Sequence, residues 1–437
     1  MEVVATVACL ALGFSILSFL VLKWNEIKYS RRKGLPPGTM GWPLFGETTD
    51  FLKQGPDFMK NQKARYGSLF KSHVLGNPTI VSMDPELNRY ILLNESKGLL
   101  PGYPQSTLDI LGRCNIAAIH GAAHKRVRGS MLSLISRNVF KDHNLLPRVD
   151  HNMRTLINNL DGKTVDIQEI TFRVALFISF KLLMEDEPDS VYETFRTEFN
   201  KLFVGSISLP IYLPGSNYYK GFQGRRNVLK ILTGIMAKRR NSSPTHNDML
   251  EQLLKEEDPR YKLSDEEILD QVITILYSGY ETVSTTSMMA IKYLHDHPAT
   301  LQELRVILET QRLATVVNGL LRKTTQDMEF NGFVIPKGWR IYVYNREINY
   351  DPFIYPEPLT FNPWRWLDKS MESHHYCFLF GGGGRLCPGK ELGIVTISTF
   401  LHYFVTKYRW EEVGRDKIVK FPRVEAPNGL HVRVSKY

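Results

Sequence analysis

The hydropathy pattern opens on a run of twenty uncharged residues, Val3 to Leu22. As a helix this run reaches about 30 Å, the thickness of a bilayer core. No basic residue precedes it, it is long for the apolar core of a cleaved leader, and its exit at Leu20-Val21-Leu22-Lys23 lacks an Ala-x-Ala pattern. The cations come afterwards, as Lys23, Lys28, Arg31, Arg32 and Lys33. Residues 1–22 therefore read as a single-pass transmembrane signal anchor rather than a removable leader. The positive-inside rule then predicts a body on the cytoplasmic side of an endoplasmic reticulum membrane.

Residues 23–47 read as a basic and proline-rich hinge. Leu35-Pro36-Pro37-Gly38 cannot continue a helix, and Gly41-Trp42-Pro43 and Gly46-Glu47 extend the irregular stretch. Beyond it the chain shows no repeat and no low-complexity block. Gly67 to Ser82 and Phe330 to Val343 are rich in β-branched and aromatic residues around the turn signals Gly76-Asn77-Pro78 and Asn331-Gly332, which predicts short strands and hairpins. Helical spacing covers 146–161, 186–205, 224–240 and 391–407. The longest helix starts at a capping box, Ser264 with Glu267, and runs to about His295, before Pro298. The expected fold is mainly α with a small β subdomain, in one catalytic domain over 48–437.

Composition narrows the function classes. The four cysteines, Cys9, Cys114, Cys377 and Cys387, are too few and too scattered for a disulfide framework, which points to a reducing compartment. The net charge of +10 suits an anionic membrane surface or an acidic protein partner. The basic residues are dispersed and carry no nucleic-acid-binding signature, so nucleic acid is not an expected partner.

The candidate chemistry centres on Cys387, within Phe380-Gly381-Gly382-Gly383-Gly384-Arg385-Leu386-Cys387-Pro388-Gly389. Glycines allow a tight backbone to approach a flat cofactor closely, and Arg385 offers a cation for its carboxylates. A cysteinyl axial ligand pushes electron density onto haem iron and favours O–O cleavage. Gly384 to Lys390 also fits the start of a phosphate-binding loop. The position that should carry Ser or Thr holds Glu391, a carboxylate that would repel phosphate, so that reading fails. The histidine pairs His295/His297 and His374/His375 lack the i, i+4 spacing of a helical zinc pair.

Two further groupings lie elsewhere. Tyr277-Ser278-Gly279-Tyr280-Glu281-Thr282 sets an acid beside an alcohol inside an apolar helix, which is a way to relay protons without admitting bulk water. Gly279 there removes a side chain and would leave room for a small gas. Glu309 and Arg312, three apart, share a helix face, and Arg365 follows in Phe361-Asn362-Pro363-Trp364-Arg365-Trp366.

Together these segments resemble the cytochrome P450 family. Its signature Phe-x-x-Gly-x-Arg-x-Cys-x-Gly is met at every fixed position. The resemblance implies the cytochrome P450 fold and haem b with Cys387 as iron ligand, cradled by Phe380, Gly381 and Gly389. It implies propionate contacts from Arg385, Arg128, Arg322 and His124, the last replacing the family's tryptophan. Thr282 would be proton donor with Glu281 as its partner, and Glu309, Arg312 and Arg365 would form a buried structural triad. Val316, Val317, Asn318, Ile116 and Gly279 would line the substrate pocket.

Several longer stretches, among them 276–287, 336–344 and 402–410, are similar to plant brassinosteroid C-6 oxidases. That likeness implies a brassinosteroid substrate, 6-deoxocastasterone taken to castasterone. It also implies NADPH used indirectly, through the membrane-bound NADPH-cytochrome P450 reductase. Another sterol or a triterpenoid would suit the same apolar lining.

One departure stands out. After His297-Pro298 the chain reads Ala299 to Arg305 and then at once Val306-Ile307-Leu308-Glu309. The family places a further helix and a connector there. The expectation is a Glu-x-x-Arg helix shortened at its amino end, and a chain whose haem retention or activity is impaired.

Overall fold

The computed structural model describes residues 2–43, 45–135, 145–241, 246, 248–300, 305–414 and 416–437. The junction residues 301–304 lie outside the described set. The helices used below are α1 (Glu2–Leu22), α2 (Gly121–Ile135), α3 (Leu145–Ile157), α4 (Ile167–Leu183), α5 (Asp189–Ser206), α6 (Asn217–Asn241), α7 (Asp265–Asp296), α8 (Val306–Ala314) and α9 (Lys390–Lys407). The strands are β1 (Leu69–Val74), β2 (Asn77–Ser82), β3 (Leu99–Pro101), β4 (Thr164–Asp166), β5 (Gly319–Thr324), β6 (Met328–Phe330), β7 (Phe333–Ile335), β8 (Arg340–Tyr344), β9 (Tyr408–Glu412) and β10 (His431–Lys436). The chain forms two compact units, and the 48–437 stretch is shared between them: Met1–Gly102 with Asn318–Ile348, and Tyr103–Val317 with Asn349–Tyr437.

The first unit holds a five-stranded sheet in the order β1-β2-β8-β5-β3. Only the β2–β8 pair is parallel. The predicted turns are built as their sequences demand: Leu75 and Gly76 take φ +52° and +73° between β1 and β2, and Asn331 and Gly332 take +49° and +78° between β6 and β7. The proline stretch is stitched to the sheet, because the Lys71 N–H donates to the Pro37 carbonyl at 2.8 Å. Gly38 sits against β1 at φ +134°, where a Cβ would collide with the Lys71 carbonyl. This unit also carries α1. No helix is long and apolar enough to cross a membrane among the described residues, and the side chains of 2–5, 7–9 and 11 lie outside that set. The expected anchor is helical over Glu2–Leu22, with Leu12, Phe14 and Phe19 exposed.

The second unit is helical, with a three-stranded sheet β4-β10-β9. Its core runs through Leu176 and Phe180 of α4, Ile273, Leu276 and Ile291 of α7, and Phe400 and Phe404 of α9, all buried. The 32-residue α7 is about 48 Å long. It starts at the predicted box: Ser264 Oγ accepts from the Glu267 N–H at 3.3 Å, and Glu267 Oε2 accepts from the Ser264 N–H at 2.9 Å. Helix α6 begins seven residues before the predicted 224–240, despite Gly221 and Gly224. There the glycines serve packing. A Cβ on Gly205 of α5 would lie 2.5 Å from the Gly221 Cα, so only bare backbones permit this crossing.

Glu267 does two tasks at the head of α7, since Arg126 of α2 also pairs with its carboxylate. The hydrogen bond from Arg126, ahead of the capping contacts, holds its pKa below the usual carboxylate range. A depressed pKa contributes stability that is complete above the ordinary Glu range and is lost as pH falls through the lower, folded value. Replacing Glu267 with Gln should cost about 1 kcal/mol near neutrality. Thermal midpoints of the two proteins should converge under acid, and a gap that widens there would contradict this account.

Candidate active site

The loop before α9 is shaped by its own backbone. Gly381 and Gly383 adopt φ +76° and +61°, conformations that side chains resist. The Cys387 N–H donates to the Phe380 carbonyl at 2.9 Å and closes the loop. Lys390 lies over the Phe380 ring, 5.0 Å from its centroid, at the first turn of α9. Cys387 thus stands at a helix N-terminus, where the N–H dipoles favour a thiolate. The Gly389 N–H bonds to its sulfur. Burial raises the thiol pKa, and the Gly389 amide, Arg128 and Lys390 only partly offset that. The Cys387 side chain is exposed.

Arg128 of α2 lies close enough to feel both Cys387 and Arg385. Burial first, then repulsion from Arg385, lowers its pKa. Among the described residues no carboxylate pairs with Arg128. A thiol with an amide donor, below glycines and beside two guanidinium groups, is a donor set that fits haem: a soft ligand for iron and cations for its propionates. Arg385 itself donates to the Ile116 and Ile119 carbonyls at 2.6 and 2.5 Å. It therefore also ties the cysteine loop to 112–119. That segment is fixed on α7 as well, because Gln271 accepts from the Ile116 N–H at 3.0 Å and donates to the Cys114 carbonyl at 2.6 Å. His124 is buried on α2, one turn before Arg128.

The triad residues come together. Glu309 and Arg312 on α8 are fully buried, and Arg312 Nε and Nη2 reach the Glu309 oxygens at 3.0 and 2.8 Å. Arg365 Nε donates to Oε1 at 3.0 Å. Two partners escaped the sequence reading: the Trp366 indole N–H, 2.9 Å from Oε2, and the Asn362 N–H, 3.0 Å from Oε1. Arg312 Nη1 also donates to the Asn349 and Pro358 carbonyls at 2.6 and 2.7 Å. Arg305, the N-cap residue of α8, makes no side-chain cap. Glu309 lies within the first turn of α8, as the shortened sequence predicts.

The α7 residues depart from expectation in two ways. A Cβ on Gly279 would come within 2.7 Å of Ser179 Oγ on α4. Its missing side chain leaves room for the Ser179 hydroxyl of α4. Glu281 does not turn to Thr282 either. Its Oε1 lies 2.9 Å from Arg423 Nε, while Thr282 Oγ1 donates to the Ser278 carbonyl at 2.8 Å. Consecutive helix residues point about 100° apart, which separates the two side chains. Val316 and the exposed Val317 follow α8. Asn318 and Arg322 belong to the first unit, where Arg322 lies buried on β5 and donates to the Leu321 carbonyl at 3.1 Å.

Comparison with known proteins agrees with this site. The Cytochrome P450 family profile matches residues 36–306 and 304–430, two pieces that meet at Arg305. The chain belongs to the cytochrome P450 family, which implies a haem with a cysteine thiolate ligand and monooxygenase chemistry. It is 59% identical to Cytochrome P450 85A of Phaseolus vulgaris, over 98% of this chain and all of that one. That alignment spans 466 residues, more than the 437 present here, so the relative carries residues this chain lacks. A 3beta,22alpha-dihydroxysteroid 3-dehydrogenase of Arabidopsis thaliana is 35% identical over 96% of both chains. A solved structure, retinoic acid bound cyanobacterial CYP120A1, superposes with a TM-score of 0.84 at 26% identity, covering 92% of this chain and 99% of that one.

Removing the Glu309 carboxylate would leave two buried guanidinium groups uncompensated. Glu309→Ala should destabilise the second unit by about 3–5 kcal/mol, whereas Trp366→Phe, which deletes one hydrogen bond, should cost about 1 kcal/mol. Denaturant unfolding of the two variants checks the order, and equal losses would show that Glu309 is not the hub.

Proposed function

We propose that the protein is a membrane-anchored monooxygenase that oxidises C-6 of 6-deoxo brassinosteroids in two successive steps, 6-deoxocastasterone to castasterone. The observation that carries this reading is the Cys387 loop with its cationic neighbours, in a chain 59% identical to Cytochrome P450 85A. The steroid named for the Arabidopsis relative points the same way. Haem b bound at Cys387 would supply the activation of dioxygen that puts one oxygen atom into a C–H bond. Each turnover consumes one O2, two electrons from NADPH through NADPH-cytochrome P450 reductase, and two protons, and releases one water. The first turnover gives the C-6 alcohol. The second gives a hydrated carbonyl that loses water to become the ketone.

In this reading Cys387 holds the iron, and the Gly389 amide stabilises the sulfur's negative charge. Phe380 and Gly381 shape the loop that presents it. Arg128, Arg385 and His124 would hold the propionates. Thr282 would be the proton donor, with Glu281, which here faces Arg423, as its partner on the same helix. Ile116, Val316 and Val317 would belong to the substrate wall. Glu309, Arg312 and Arg365 keep the segment before the cysteine loop in place. Residues 1–22 anchor the chain in the endoplasmic reticulum membrane, 23–47 form the hinge, and the catalytic body, 48–437, faces the cytoplasm.

The break in the family match at Arg305 favours a second reading, a haem-binding isoform with impaired turnover. Product analysis separates the two. Microsomes containing the protein, its reductase and NADPH should convert 6-deoxocastasterone to the alcohol and then castasterone, and absence of both products with haem bound would support impairment. Arg128→Gln should weaken haem retention about tenfold, the loss of one charge-assisted contact. Haem release to apomyoglobin measures it, and unchanged release would remove Arg128 from the propionate site.

A further inference from the structure

Lys390 has no role in the reading above, although it is the lysine of the rejected phosphate-loop pattern. It is the first residue of α9, three positions after Cys387 and directly after the N-cap residue Gly389. Two contacts hold its ammonium group. Nζ stands 5.0 Å from the Phe380 ring centroid, and it forms an ion pair with the Glu372 carboxylate. Glu372 ends the short helix Lys369–Glu372, which precedes the cysteine loop.

Phe380 is itself joined to the cysteine, because its carbonyl accepts from the Cys387 N–H at 2.9 Å. The ring, the cysteine and the ammonium group therefore share one closed turn. The face of an aromatic ring is its negative region and attracts a cation, so Phe380 keeps Nζ beside the loop instead of letting the stem extend into water. From there its charge acts on the Cys387 sulfur, as does that of Arg128. The two cations differ in their company: no carboxylate pairs with Arg128 among the described residues, whereas Lys390 has Glu372. The Lys390 side chain is 27% exposed and that of Glu372 is 47%. Water screens the carboxylate more than the ammonium group, so the pair leaves a net positive field at the loop.

We propose that Lys390, stacked on Phe380, sets the reduction potential of the metal that Cys387 holds, and that Glu372 tempers it by neutralising part of the charge. The inference rests on haem being bound at Cys387, as in the function proposed above. Reduction adds one electron to the ferric site, and no bond forms or breaks. A cation nearby stabilises the added negative charge and a carboxylate opposes it. The electron comes from NADPH through the reductase, so the first electron transfer of each turnover is the step that Lys390 favours.

Redox titration of the haem-loaded protein with dithionite and mediator dyes tests this without the reductase, so docking of a partner does not enter the result. Haem content and thermal midpoint are followed on the same samples. Lys390→Met should move the midpoint potential down, lowering the ferrous-to-ferric ratio at a fixed applied potential about threefold. Glu372→Gln should move it up by a smaller step, and Lys390→Arg should leave it near the wild-type value. The double variant should lie between the two single variants. A purely structural pair would lower haem content or thermal midpoint in both variants, and would not shift the potential in opposite directions. Shifts of the same sign, or unchanged potentials with haem bound, would overturn the proposal. Glu372 is half-exposed, so its variant stays readable if Lys390→Met loses haem, and a potential at or below wild type in Glu372→Gln is then enough to overturn it. Failure of the wild-type protein to take up haem would instead overturn the reading of Cys387 beneath it, and this inference with it.

Discussion

Five hydrogen bonds converge on one buried carboxylate, that of Glu309. A lone charge at zero exposure would be forbiddingly costly. Arg312 and Arg365 compensate it, and Trp366 and the Asn362 amide saturate its remaining lone pairs. The cluster binds α8 to the irregular stretch 349–366, and that stretch leads directly to the cysteine loop. The loop itself is closed by the Cys387 N–H on the Phe380 carbonyl and tied to 112–119 by Arg385, so the Glu309 cluster fixes the segment that leads into it.

The same cluster bears on the shortened chain. The alignment with Cytochrome P450 85A is longer than this chain, and the family match breaks at residues 304–306. Helix α8 begins at Val306, so only Val306, Ile307 and Leu308 precede Glu309 in it. The triad forms all the same, because every partner of Glu309 lies carboxyl-terminal to the break.

Much of this was readable from sequence where the determinant is local. The capping box at Ser264 and Glu267 and the Asn331-Gly332 turn depend on residues a few positions apart, and both formed where expected. The Glu309–Arg312 pair follows from helical spacing. The misses share a different cause. Gly279 signals space, but which neighbour fills it depends on α4, whose Ser179 no spacing rule connects to it. Gly221 and Gly224 weaken a helix in isolation, and the close crossing with α5 overrides that. Arg423 carries no local motif, and its tie to Glu281 exists only once the loop before β10 folds onto α7. Trp366 sat inside a quoted motif, yet nothing in its sequence distinguishes an indole that bonds a carboxylate from one that only packs.

The central claim is that Cys387 binds haem iron as a thiolate. The carbon monoxide difference spectrum of the reduced full-length protein, with haem occupancy measured on the same sample, tests it most directly. The account predicts the long-wavelength band of a thiolate-ligated carbonyl complex, with haem close to stoichiometric. A shorter-wavelength band of the thiol-ligated form, or no Soret band, would contradict it.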